Sequence, residues 1–248
     1  MAVLLGIDTG GTYTDAVLFD EEKGVLASAK SLTTKHDLAE GLQKAARAVF
    51  EARTDIEPAQ IALTSISTTL ATNAIVESHG NPVCLILIGQ PAKSLDRAGL
   101  RQAVGSDPVV FVDGGHTTAG DEQAPLDEEA VVAAVRRHAD KVAAFAVAGY
   151  FAVRNPGHEQ RVREIIRAES GLPVTCAHEL SSNLDAPRRA LTAVLNARLI
   201  PLLQHLILAV QDFQQDMGIE SPLMVVKGDG SLISAETALN RPVETILS

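Results

Sequence analysis

Short apolar runs alternate with longer segments of helical period along most of this chain. The opening differs, because three apolar runs follow one another with only short turns between them. The pattern predicts strands over Val3–Asp8, Tyr13–Asp20, Val25–Leu32, Ile61–Ile66, Val83–Ile88, Val109–Val112, Ala143–Ala148, Pro173–Cys176 and Leu223–Val226. It predicts helices over Asp37–Ala52, Thr69–Ser78, Leu95–Val104, Pro156–Ser170 and Asp185–Met217, and one that Asp127 caps and that runs through Ala139.

Capping residues and prolines refine these boundaries. Asn155 is the expected N-cap of the helix that starts at Pro156. Asp185 is expected to cap the last helix, which Pro187 opens and which Pro201 should kink or restart. Strands separated by helices predict an α/β fold, and the opening meander makes its sheet mixed.

Composition and charge exclude several classes of protein. Apolar residues make up 46% of the chain and aromatic residues 3%, so the core must consist mainly of aliphatic side chains. The net charge of −10 argues against a nucleic-acid-binding protein. No apolar run reaches the ~18–20 residues of a membrane span, and the N-terminus lacks the pattern of a signal peptide. Cys84 and Cys176 lie too far apart for typical zinc-ligand spacing or a disulfide framework, so we expect small core thiols in a cytoplasmic protein.

The turn after the first strand carries the most informative chemistry. Two adjacent glycines, Gly10 and Gly11, let backbone N–H groups converge on an anion, and Thr12 and Thr14 add hydroxyl donors. Asp8 ends the strand beside this turn, where a carboxylate would repel phosphate unless a hard cation such as Mg²⁺ lies between them. A plain Gly-Gly hairpin with polar ends is the alternative.

This turn resembles the first phosphate loop of the actin-like ATPase superfamily. Three further segments resemble the N-terminal part of the hydantoinase A / 5-oxoprolinase family and occur in that family's order: Ser67–Glu77, Tyr150–Glu159 and Arg189–Ala197. The chain departs from the family at Ser67, where Gly is common, and over Arg188–Thr192, where Ser and Thr usually follow Arg. These departures leave the nucleotide loop intact and the substrate open.

The resemblance implies an α/β fold of the ribonuclease-H-like, actin-like ATPase type, with a mixed sheet flanked by helices and the start of a second lobe. It divides the chain into an N-terminal domain over 1–180 and the start of the hydantoinase A domain over 181–248. It implies that ATP and Mg²⁺ serve to hydrolyse a cyclic amide of the hydantoin or 5-oxoproline type, with phosphorylation activating the amide. An ATP-dependent ketone carboxylase subunit, a small-molecule kinase and a non-catalytic nucleotide-binding module are the alternatives.

Roles for individual residues follow from the same resemblance. We expect Asp8 to hold the metal and act in catalysis with His158, the nucleotide to contact Asp8, Gly10, Gly11, Thr12, Thr14 and Asp15, and the cyclic amide to contact Thr68, Thr69 and Asn73. The amide contacts and the catalytic role of His158 each have a purely structural alternative. Thr68 and Thr69 would cap a helix, and His158 would stabilise the first turn of another.

Two polar segments and the assembly complete the expectations. Asn196 lies on an apolar helix and needs a buried hydrogen-bond partner, and Lys227–Ser231 forms either a wall of the active cleft or a simple turn. The expected partners are the cyclic amide, a hydantoinase B-like subunit and further copies of this chain, with no nucleic acid and no membrane. Because the chain has a single phosphate loop, we expect it to be inactive by itself.

Overall fold

The computed structural model describes residues 2–34, 38–69, 72–73 and 80–245, with only the backbone of Leu38. The strands are β1 Val3–Thr9, β2 Tyr13–Asp20, β3 Gly24–Leu32, β4 Ile61–Thr68, β5 Val83–Ile88, β6 Val109–Val112, β7 Ala144–Gly149, β8 Val174–Cys176, β9 Leu223–Val226 and β10 Leu232–Ser234. The α-helices are α1 Leu38–Ala52, α2 Leu100–Val104, α3 Glu128–His138, α4 Gly157–Ser170, α5 Ala177–Leu180, α6 Ala186–Met217 and α7 Ala235–Asn240. Short 3₁₀ turns cover Pro58–Gln60, Ala92–Asp96 and Pro242–Thr245.

One compact unit comprises Met1–His79 and Leu202–Ser248. Its six-stranded mixed sheet has the order β10-β9-β4-β1-β2-β3, in which β4 pairs parallel to both β1 and β9. Alternate residues of these strands face a single apolar cluster with α1 and the second half of α6. The predicted three-stranded meander and the mixed sheet are therefore confirmed.

The second compact unit comprises Gly80–Pro201 and has a sheet of its own. Its four strands are all parallel, in the order β6-β5-β7-β8. Every residue of β5 and β7 is buried, because α3 and α4 cover one face while α2 and the first half of α6 cover the other. The chain thus has two sheets, one mixed and one parallel, where the sequence pattern indicated a single mixed sheet.

Several predicted boundaries needed correction. The helix predicted over Leu95–Val104 is a 3₁₀ turn and a short α2, because the chain turns through positive φ at Ala98 and Gly99 between them. Helix α4 begins at Gly157, since Pro156 has a ψ of 2° and occupies the cap position. Asn155 still contributes, because its Oδ1 accepts the Gly157 N–H at 3.0 Å.

The C-terminal helical region is more continuous than expected. Helix α6 passes through Pro201 without a restart, with buried Ile200 and Leu203 on either side, and a kink at Pro201 stays a prediction. Asp185 caps α6 as predicted, and its Oδ1 accepts the Arg188 N–H at 3.3 Å. Strand β10 and helix α7 were missed, because both are short and neither carries a strong period. Most of the predicted Thr69–Ser78 helix and the Asp37 start of α1 lie outside the described residues, as do 246–248.

The two cysteines are core residues, and this predicts their reactivity. Both side chains are fully buried, and burial raises the pKa of the Cys84 thiol to about 12 and that of Cys176 as well. We expect neither thiol of the native protein to react with Ellman's reagent at pH 8, whereas both react after unfolding. Peptide mapping of the labelled protein measures this, and rapid native labelling of either residue would contradict its placement in the core.

Candidate functional site

The β1–β2 hairpin forms the predicted phosphate loop. The strands pair antiparallel up to Thr9 opposite Thr14, and the Gly10 N–H donates to the Tyr13 carbonyl at 2.9 Å. A Cβ at Gly10 would lie 3.0 Å from that carbonyl, and one at Gly11 would lie 3.0 Å from Asn73 Nδ2. A side chain at Gly10 would therefore crowd the backbone of the turn, one at Gly11 would displace the Asn73 side chain, and the loop begins no helix of the dinucleotide-binding type.

Hydroxyl groups beneath the loop hold it in place. Thr33 Oγ1 donates to the Gly10 carbonyl at 2.9 Å, and the Thr33 N–H donates to the Thr12 carbonyl at 2.9 Å. Since the Thr33 proton is used in this way, the 3.0 Å contact between Thr14 Oγ1 and Thr33 Oγ1 has Thr14 as donor. Thr14 is fully buried, and its hydroxyl supports the loop from below in this structure; its contact with phosphate stays a prediction. Thr12 is exposed at the tip.

The strand-to-helix junction after β4 is anchored to the end of β1. The Thr9 carbonyl accepts the Thr69 N–H and the Thr68 hydroxyl, each at 3.2 Å. Thr68 is buried to 1% exposure, and its contact with a cyclic amide stays a prediction. Thr69 and Asn73 are half-buried and contact each other, with Asn73 Nδ2 donating to Thr69 Oγ1 at 3.3 Å. Their contact with substrate stays a prediction.

A row of polar side chains crosses the open face of the six-stranded sheet at its loop end. Asp15 lies opposite both Asp8 and Lys30, and Asp8 lies opposite Ser67 on its other side. Directly opposed residues project from the same face of a sheet, so the two carboxylates are neighbours. The Lys30 ammonium pairs with Asp15 at 3.2 Å, and the Ser67 hydroxyl donates to Asp8 Oδ1 at 2.7 Å.

The charge on Asp8 is not balanced in the same way. Its side chain is exposed, and among the described residues no cationic group lies within ion-pair distance of it. Directly opposed like charges destabilise a sheet, so the Asp8–Asp15 pair favours a bound cation. Carboxylate oxygens are the ligands that Mg²⁺ prefers, and the donor set therefore fits this ion.

His158 lies in the second compact unit, and its ring is fully engaged. Its Nδ1 accepts the Gly115 N–H at 3.0 Å, which leaves Nε2 to donate to Glu122 Oε1 at 3.0 Å. The His116 ring contacts the His158 ring at 4.3 Å between centroids in a tilted arrangement, and burial lowers the pKa of His116. Both ring nitrogens are thus engaged within the protein in this arrangement, which favours the structural interpretation, and the catalytic role of His158 stays a prediction.

A buried charged network beside this histidine escaped the sequence analysis. The fully buried Glu159 carboxylate accepts the Gly149 N–H at 2.6 Å and the His178 N–H at 3.0 Å, and His178 Nδ1 contacts it as well. The buried Arg189 guanidinium donates to the Gly149 carbonyl at 3.0 Å and to the Asn183 carbonyl at 2.5 Å. Burial lowers the pKa of Arg189. Glu159 and Arg189 thus hold the Gly149 residue at the carboxyl end of β7 from both sides.

Sequence signals for this network do exist. Glu159 shares a helical stripe with buried Val162 and Ile166, and Arg189 shares one with buried Ala186 and Ala193. A charged residue on an apolar stripe indicates a buried, paired group.

The same cluster has the composition of a metal site. Ligand atoms of Glu159, Cys176 and His178 lie within 4.8 Å of one another. Burial raises the pKa of the Cys176 thiol well above its usual range, and its Sγ–H contacts the Glu159 carbonyl at 3.4 Å. The Glu159 carboxylate already accepts two backbone N–H groups, so we assign the cluster to hydrogen bonding.

Two further polar segments have local partners. Asn196 Nδ2 donates to Thr175 Oγ1 at 3.0 Å, which confirms a buried partner for this amide. The segment after β9 closes as a turn, with Lys227 Nζ 3.3 Å from Glu244, and this contact raises the pKa of Lys227. Its position at the carboxyl end of a parallel strand agrees with a cleft wall, which stays a prediction.

Comparison with known protein families shows to which family this chain belongs. The family model for the hydantoinase/oxoprolinase N-terminal region matches residues 4–170. The chain belongs to the hydantoinase/oxoprolinase family. A second model, hydantoinase/oxoprolinase, matches residues 189–248 of this family member. The predicted division at residue 180 lies between the two matches and stays a prediction.

Relatives of this hydantoinase/oxoprolinase chain include two enzyme subunits. It is 30% identical over 265 residues to caprolactamase subunit alpha of Pseudomonas jessenii, covering 98% of this chain and 38% of the relative. It is 32% identical over 259 residues to the acetophenone carboxylase gamma subunit of Aromatoleum aromaticum, covering 91% and 35%. The crystal structure of ATP-dependent caprolactamase from Pseudomonas jessenii matches with a TM-score of 0.80 and 28% identity, over 98% of this chain and 38% of that one. The chain thus spans less than two fifths of the length of these relatives, and it shares their mixed α/β fold with helix-flanked sheets.

One helix of this family member is long and apolar enough to cross a membrane by length and composition. It is α6, in which an 18-residue window has a mean hydropathy of 1.6. Of that window, 61% is buried inside the protein, as is typical of a core helix.

Proposed function

We propose that this chain supplies the phosphate loop and the metal-binding carboxylate of an ATP-dependent enzyme subunit that hydrolyses a cyclic amide. The observation that carries the proposal is the hairpin itself: Asp8 is the last residue of β1 on the open sheet face, two residues before the Gly10–Gly11 turn. The caprolactamase relative supports a lactam as substrate class. The use of ATP, the cyclic amide substrate and the partner subunit are proposed together with this role.

Different residues of the loop would bind the phosphates and the metal. The Gly11 and Thr12 N–H groups and the Thr12 hydroxyl would donate to the phosphates, and the Thr14–Thr33 pair keeps the loop in shape. Asp8 would hold Mg²⁺, with Asp15 beside it, and the ion supplies charge neutralisation of the phosphates. Positioning and electrostatics of this kind account for most of the catalysis in phosphoryl transfer.

The chemistry explains why a stable lactam requires ATP. Transfer of the γ-phosphoryl group to the amide oxygen forms an O–P bond and releases ADP, which makes the amide carbon electrophilic. Water then adds to that carbon and the ring C–N bond breaks, so the nitrogen leaves as an amine that takes up a proton and the carbon becomes an acyl phosphate. A second water cleaves the acyl phosphate, and an amino acid and inorganic phosphate leave. Thr69 and Asn73, which contact each other beside Gly11, are the described residues that we assign to the substrate amide.

A carboxylase is the second candidate, and the acetophenone carboxylase relative favours it. Both relatives carry subunit names, so we propose that a hydantoinase B-like subunit completes either enzyme. In a carboxylase, the same loop would hold ATP for the activation of bicarbonate or ketone.

Product analysis separates the two candidates. The complete protein and its partner subunit are incubated with ATP, Mg²⁺, labelled bicarbonate and a panel of hydantoins, 5-oxoproline, related lactams and aryl ketones. We expect phosphate release that depends on a lactam and equals the ring-opened amino acid formed, without label in the product. Label incorporated with a ketone would establish the carboxylase, and nucleotide binding without turnover on any substrate would reduce the chain to a binding module.

A further inference from the structure

Ser67 contacts the Asp8 carboxylate directly. It lies opposite Asp8 in the parallel pairing of β1 and β4, so both side chains project from the open face of the sheet. The Ser67 hydroxyl donates to Asp8 Oδ1 at 2.7 Å, and the acceptor is an ionised group, which strengthens the bond. The sequence analysis singled out the two threonines that follow Ser67 and assigned Ser67 no role.

This hydrogen bond constrains the geometry of Asp8. Asp15, on the other side of Asp8, is paired with the Lys30 ammonium at 3.2 Å. In contrast, the described contact of Asp8 is with a neutral hydroxyl, which occupies one oxygen and leaves the negative charge of the carboxylate in place. Among the described residues Oδ2 has no hydrogen-bond or ion-pair partner, so it is available to a cation.

We propose that Ser67 is a positioning residue that orients the Asp8 carboxylate for a divalent cation. This inference rests on the proposed function, because it takes Asp8 as the metal ligand. Hydrogen bonds to a ligating carboxylate fix its orientation, and losing such a partner typically costs about 10–100-fold in metal affinity. A hydroxyl suits the task better than an ammonium, since it would not compete with the cation by charge.

Ser65 provides a matched control on the same strand. It lies two residues earlier, opposite Gly6, and therefore projects from the same face of the sheet. Its Oγ lies 3.9 Å from the position that a Cβ on Gly6 would occupy. Gly6 precedes Asp8 by two residues on β1. Ser65→Ala removes the same hydroxyl from the same surface without removing the bond to Asp8.

The test measures Mn²⁺ affinity by electron paramagnetic resonance, on the complete protein saturated with a non-hydrolysable ATP analogue. We expect Ser67→Ala to weaken Mn²⁺ binding about tenfold, whereas Ser67→Thr, which keeps the hydroxyl, stays within about threefold of wild type. Ser65→Ala should match wild type. Binding of the analogue in EDTA should be unchanged in all four proteins, which shows that the loop is intact.

Asp8→Asn separates failure of this inference from failure of the proposed function. If Asp8→Asn loses Mn²⁺ affinity while Ser67→Ala keeps it, Asp8 is the ligand and Ser67 does not position it. If Asp8→Asn itself binds Mn²⁺ like wild type, the metal assignment in the proposed function fails and takes this inference with it.

Discussion

Asp8→Asn should lower Mg²⁺-dependent ATP turnover of the complete enzyme by at least about 10²-fold, the cost of removing one strong electrostatic contact in a transition state. The amide keeps the size of the side chain and can still accept the Ser67 hydrogen bond, so packing is preserved. Asn lacks the negative charge that holds a cation against the phosphates. The measurement is phosphate release in the presence of a lactam substrate.

The control is another exposed aspartate of the same compact unit. Asp55 pairs with Arg53 at 2.7 Å, and its side chain is 65% exposed. Asp55→Asn should leave turnover within about twofold of wild type, because exposed ion pairs contribute little to stability. Wild-type turnover in a folded Asp8→Asn protein would show that the loop is only a hairpin.

Glu159→Ala should have the largest effect on stability, destabilising the unit that contains it by about 3–5 kcal/mol. The substitution leaves the Gly149 and His178 N–H groups without their acceptor and removes one of the two carboxylates, Glu159 and Asp185, whose charge favours the buried Arg189 cation. Hydrogen exchange followed by mass spectrometry on β7 peptides, across a urea series, measures the loss locally.

Two variants of the same helix sharpen this prediction. Glu164 lies on α4 with a 66% exposed side chain that pairs with Arg161, and Glu164→Ala should change stability by less than about 1 kcal/mol. Glu159→Gln keeps one acceptor oxygen and should fall between Glu159→Ala and wild type. Wild-type exchange of β7 in Glu159→Ala would show that the buried network does not hold Gly149.

Local patterns predicted the elements well where a strong signal marked them. The Gly-Gly turn between two apolar runs predicted the β1–β2 hairpin, and the apolar run Val83–Ile88 predicted strand β5. The predicted helix boundaries were wrong where a backbone angle decides them, as at Pro156 and Gly99. The helix does not restart at Pro201 for another reason, because burial of apolar side chains on both sides of this proline outweighs one missing hydrogen bond.

The loop of the candidate site could be predicted from the sequence, whereas the orientation and partners of several of its side chains could not. Asp8, Gly10 and Gly11 follow from residue types in order along the chain, and the structure brings them together. The roles of Thr14, Thr68 and His158 depend on which way a side chain faces and on partners distant in sequence, such as Thr33 for Thr14 and Gly115 for His158. Strand register decides from which face of the sheet a side chain projects. A single sequence does not contain the register of strands that are distant along the chain. Ser67 is the clearest case, because its contact with Asp8 requires the parallel pairing of β1 and β4.

The most direct test of the central claim is the crystal structure of the complete protein with a non-hydrolysable ATP analogue and Mn²⁺, located by its anomalous scattering. The account predicts a manganese peak in coordination contact with an Asp8 carboxylate oxygen, and phosphate oxygens within hydrogen-bond distance of the backbone N–H groups at Gly11 and Thr12. Analogue bound elsewhere on the protein, with the Asp8–Thr12 hairpin free of both phosphate and metal, would contradict it.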